Sequence, residues 1–85
     1  MELYLLAVIK EFECDNPDYA SWIYSSFESA STHYNAEVVA AKEAYNYGEK
    51  CENEVTTETY RYFEVYNPDH VGRITVILEQ KKIND

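Results

Sequence analysis

Hydrophobic positions along the chain switch between two periods, and that switch marks the elements. From Leu3 to Cys14 the period is two: Tyr4, Leu6, Val8, Phe12 and Cys14 share one face, while Leu3, Leu5, Ala7 and Ile9 give way to Glu11 and Glu13 on the other. The first half is apolar on both faces, as in a central strand, and the second half has one face in water. Asp15-Asn16-Pro17-Asp18 is turn chemistry, so a hairpin into a short strand Tyr19–Tyr24 follows. Asn16 as a cap and Pro17 at a first helical position would instead let Tyr19, Trp22 and Ile23 prolong the next helix backwards. The β-rich run YASWIY and a fresh capping signal at Ser25-Ser26 favour the strand.

Between Ser25 and Tyr47 the period changes to that of an α-helix. Phe27, Ala30, Tyr34, Val38, Ala41 and Tyr45 fall on one stripe, with Ser25 and Glu28 spaced as a capping box and Gly48 placed to close the other end. Glu49 to Glu54 is polar throughout and is predicted to be loop. Thr57–Tyr66 reads as a strand with Thr59, Phe63 and Val65 on one face and Tyr60, Tyr62 and Tyr66 on the other. A turn over Asn67–Gly72 leads to a last strand, Arg73–Gln80, with Ile74, Val76 and Leu78 facing inward, before a polar tail. The expected fold is a single α+β domain over residues 1–85, in the order β-β-α-β-β, with one helix on one face of a four-stranded, mostly antiparallel sheet.

Composition narrows what such a domain does. Sixteen Asp and Glu against seven Lys and Arg give a net charge of −9, which argues against direct binding of nucleic acid or an anionic membrane and for association with a basic surface on another protein. Nine of the 85 residues are Tyr, whose ring buries area while its hydroxyl stays wet, a combination suited to protein contact. Met1-Glu2 precedes a run of only seven apolar residues, Leu3–Ile9, with neither a basic start nor a small-residue cleavage site. A cytoplasmic protein without a signal peptide or membrane span is therefore expected, with Cys14 and Cys51 reduced.

Candidate chemistry is sparse. Cys14, His33, Cys51 and His70 are the donor types of a zinc site, but no two are close in sequence as paired ligands would be, and both histidines read as surface residues. A Cys–His nucleophile would need an electropositive pocket that the charge opposes, and glycines only at 48 and 72 leave no phosphate loop. No enzyme, cofactor or metal is expected. Chain order instead supplies an electrostatic candidate. With the second strand running down and the helix up, the helix C-terminus returns to the first hairpin turn. Glu11, Glu13, Asp15 and Asp18 would then lie near Glu49, Glu52, Glu54 and Glu58, with Tyr45, Tyr47, Tyr60 and Tyr62 as aromatic anchors. Carboxylates just past a helix C-terminus oppose its dipole, a local conflict of the kind found at functional sites.

In size, charge and one-helix, small-sheet plan the chain resembles the small acidic inhibitors that phages and other mobile elements direct against bacterial defence, anti-CRISPR proteins in particular. That resemblance implies a stoichiometric inhibitor in a bacterial cytoplasm whose carboxylates stand where phosphates would on a Cas effector. The alternative is a small structural or regulatory homodimer that pairs through its open sheet face, where Leu3, Leu5 and Ile9 lie.

Overall fold

The structure is a computed structural model that describes residues 2–12, 16–45, 48–69 and 72–82. Five strands and one helix follow in the order β1 (Glu2–Phe12), β2 (Asp18–Tyr24), α1 (Phe27–Ala44), β3 (Cys51–Thr56), β4 (Tyr60–Tyr66) and β5 (Gly72–Lys82). The strands form one antiparallel sheet in the spatial order β2-β1-β5-β4-β3.

The α+β class with a single helix holds, but the four-strand expectation does not. Cys51–Thr56, whose first residues read as polar loop, pairs antiparallel with β4 from Cys51↔Tyr66 to Thr56↔Arg61. Its side chains are exposed but for a half-buried Cys51, so both faces of this edge strand stay wet and no period-two apolar pattern marks it. The strand expected from Thr57 begins at Tyr60, because Thr57–Thr59 form the turn, with the Thr57 hydroxyl donating to the Tyr60 carbonyl. Tyr19–Tyr24 is strand, not a backward extension of the helix.

Register explains which faces are buried. Leu6 lies opposite Leu78 and Val8 opposite Val76, and Phe63 and Val65 pair across to Val76 and Ile74. All seven point to the face that α1 covers, and they form one core with Ala30, Tyr34, Ala41 and Tyr45 of the helical stripe. Val38 packs at its margin, and Phe27 is left 45% exposed against the Tyr4 ring.

The helix is shorter than its stripe. Its cap is Ser26 rather than Ser25: Ser26 has extended backbone, and its hydroxyl accepts from the Ser29 N–H at 3.3 Å. At the other end Tyr45 leaves the helix, its ring fully buried and its hydroxyl donating to the Gly72 carbonyl at 2.9 Å. That anchor ends the helix at Ala44, before Gly48. Gly48 lies in the following turn with φ +65°, where an added Cβ would sit 3.0 Å from the Asn67 amide nitrogen.

One buried polar group is out of place in this core. The Tyr34 hydroxyl has no hydrogen-bond partner among the described residues; burial first, and the Glu54 charge second, push its pKa up to about 12. A buried unsatisfied hydroxyl is costly, so Tyr34→Phe is expected to stabilise the fold by ~1 kcal/mol. Thermal unfolding should register a rise of roughly 4–8 °C. A fall in melting temperature would mean that the hydroxyl has a stabilising role.

Candidate protein-binding surface

α1 rests mainly on β1 and β5 and does not reach β3, and among the described residues nothing covers the sheet's second face or pairs with the outer side of β2 or β3. The second face is built in rows across the strands. Ile23, Leu5, Glu79 and Tyr60 form one row, Ser21, Ala7, Ile77, Tyr62 and Val55 the next, and Tyr19, Ile9, Thr75, Glu64 and Asn53 a third. Tyr60 and Tyr62 lie two residues apart on β4 with their rings stacked, centroids 6.4 Å apart and planes at 15°. Both are half-buried, so they are partly shielded and partly available to a partner.

Glu64 occupies the middle of β4 and is 8% exposed although no helix covers it. Its carboxylate accepts from the Asn53 amide at 2.7 Å and from the Tyr62 hydroxyl at 2.7 Å, and Arg73 stands 3.5 Å away. Burial alone would raise its pKa, but the two hydrogen bonds and the Arg73 charge outweigh that and hold the carboxyl below its ordinary value. The same contact raises the Tyr62 phenol, through burial first and then the hydrogen bond to Glu64. Asn53 lies directly opposite Glu64, so this network ties the edge strand β3 to the rest of the sheet.

Among the described residues, the acidic side chains do not gather as one cluster. Glu11 and Asp18 are exposed at one end of β1 and β2, and Glu49 and Glu52 are exposed at the same end. They stand on opposite edges, however: Asp18, Lys10, Ile74, Val65 and Glu52 form one row, which puts Asp18 and Glu52 about 19 Å apart at ~4.8 Å per strand. Glu58 is at the far end, in the turn between β3 and β4, lining a shallow cleft with Phe27, Arg61 and Gln80. Glu13 and Asp15 lie outside the described residues, as do Tyr47, Cys14 and His70. The helix C-terminus does return to the first hairpin's end of the sheet, since Ala44 and Lys10 line one small cleft, but the five-strand order keeps the two acidic groups apart.

What the strand assignment of β3 creates instead is a line. Glu52 and Glu54 project from the same side of an outermost strand, roughly 6.8 Å apart at two residues' rise, with Glu49 and Glu58 prolonging the series at its ends. Neither Glu52 nor Glu54 forms an ion pair with a described residue. Neighbouring cations are engaged elsewhere: Lys42 sits over the Phe63 ring, Lys50 donates to the Lys42 carbonyl, and Arg61 donates to Ser31 while lying over Phe27. Tyr45 is no anchor, since its ring is wholly in the core.

His33 is half-buried and held between the Tyr24 hydroxyl at 2.6 Å and the Glu37 carboxylate at 3.1 Å, with its ring against Trp22; Cys51 is a half-buried free thiol. Among the described residues, no three His, Cys, Asp or Glu side chains stand close enough to hold a metal ion, and no helix is long and apolar enough to cross a membrane. Compared with protein-family models and with curated proteins, the chain matches none.

Proposed function

We propose that the chain is a non-enzymatic inhibitor that presents the β3 edge to a basic, nucleic-acid-binding surface of a partner protein, in the manner of an anti-CRISPR protein on a Cas effector. The observation that carries this reading is the pair Glu52 and Glu54, exposed and without an ion pair among the described residues, on one side of an edge strand in a chain of net charge −9. A strand holds side chains at a fixed rise, so these carboxylates keep a regular separation on the scale of successive phosphates along a nucleic-acid strand. Ordering them on a sheet lowers the conformational cost of binding relative to the same residues in a loop.

The strand's other side supplies apolar contact. Val55 is 49% exposed beside Tyr62, and the stacked Tyr60–Tyr62 pair continues that surface, so a partner that clasps the edge meets carboxylates on one side and aromatic area on the other. Charge steers the encounter and the tyrosines hold the complex. The test is competition. A Cas effector carrying a fluorescent guide or target strand should release it as this chain is added. Binding that leaves the nucleic acid in place, or no binding to any nucleic-acid-binding effector of the host, contradicts the proposal.

A further inference from the structure

The two edges of the sheet are chemically opposite, and only β3 bears the devices that keep an edge from pairing. Its carboxylates would bring Glu52 and Glu54 of two copies within two residues of one another if β3 paired with itself antiparallel, a like-charge arrangement that opposes association. The seven residues of β2, DYASWIY, hold one carboxylate, Asp18, and no Lys, Arg or Pro. Its register with β1 runs from Tyr4↔Tyr24 to Lys10↔Asp18 without a bulge, and among the described residues its outer edge pairs with no other strand. Tyr19 is 63% and Ile23 69% exposed. An unbulged, almost uncharged, aromatic edge of this kind is a template for strand addition.

We propose that two copies of the chain pair antiparallel through β2, about a dyad at Ser21, to make one continuous ten-stranded sheet with both helices on the same face. The occupant is identified by self-complementarity. With Ser21 opposite Ser21 of the second copy, Tyr19 lies opposite Ile23 on the open face, an aromatic–β-branched pair, and Ala20 lies opposite Trp22 on the helix side, small against large. Asp18 falls opposite Tyr24, which leaves the two Asp18 carboxylates about 20 Å apart along the strands, beyond a Debye length of ~8 Å. The same pairing sends the two β3 edges to the outer rims, nine strand spacings or about 43 Å apart, the widest separation a continuous sheet allows for the acidic lines. The inference concerns assembly and stands whether or not β3 binds a partner.

Sedimentation of the full chain at physiological ionic strength, combined with amide hydrogen exchange, tests it. The expected result is a species of twice the chain's mass in which alternate β2 amides exchange at least tenfold more slowly than in Ile23→Lys, with that variant dissociating at least tenfold more readily. Val55→Lys on β3 should leave the dimer intact. If circular dichroism shows Ile23→Lys unfolded, Tyr19→Lys serves in its place. A chain that stays monomeric up to roughly 1 mM overturns the proposal. So does a dimer that survives both substitutions with β2 amides unprotected, which would be pairing through the sheet face.

Discussion

Glu64→Ala is expected to destabilise the fold by about 2–3 kcal/mol, the scale of hydrogen bonds to a charged group, and to lower the melting temperature by roughly 10–20 °C. The substitution removes the acceptor for Asn53 and Tyr62 and the counter-charge for Arg73 at once. Since Asn53 is the β3 residue that reaches into this network, the loss should concentrate at the edge strand, whose amides should exchange faster than those of β1 and β5. Acid titration gives an independent reading. The folded carboxyl lies below its ordinary value, so its contribution is complete above the unfolded carboxylate range and is lost as pH falls through the folded value. The wild-type protein should lose stability over that acid interval more steeply than Glu64→Ala. Equal slopes would show that the network is not charged in the way its donors imply.

Reversing the edge charges has the second large effect. Glu52→Lys with Glu54→Lys replaces carboxylates that attract a basic surface with cations that repel it, and the combined loss in affinity for a basic partner is expected to be about 3 kcal/mol, roughly a hundredfold. Both side chains are exposed and neither hydrogen-bonds to a described residue, so stability should change little. Glu11→Lys on β1 with Asp18→Lys on β2, at the opposite side of the sheet from β3, is the control that separates position from net charge. The same four-unit change in charge there should cost much less. Equal losses from the two pairs would mean that only the overall charge matters.

How much of this was visible beforehand depends on how local each signal is. The helical stripe placed Ala30, Tyr34 and Ala41 in the core correctly, and period-two alternation placed Leu6, Val8, Ile74, Val76 and Leu78 there as well. In both cases the pattern is written within one element. The edge strand β3 was missed because its neighbours lie on one side only and its side chains meet water on both faces, so nothing in CENEVT alternates in hydrophobicity. Tyr45 looked like a surface anchor because it ends the stripe beside polar residues; its hydroxyl's partner, Gly72, is 27 residues away. The Glu64 network is equally non-local, since it needs the Asn53↔Glu64 register, although a single carboxylate among Tyr60, Tyr62 and Tyr66 on one strand face was a signal in itself. The acidic clustering failed at a different level. The direction of each element was right, but strand order separates the first hairpin from β3 by the width of the sheet.

The central claim is that charge on one edge strand directs binding, and the salt dependence of affinity measures it most directly. For the Cas effector or other basic partner identified by competition, the logarithm of the affinity is expected to fall linearly with the logarithm of salt concentration. The slope should flatten markedly in Glu52→Lys/Glu54→Lys and only slightly in Glu11→Lys/Asp18→Lys. A slope near zero for the wild-type chain, or one that the β3 substitutions leave unchanged, would contradict the claim.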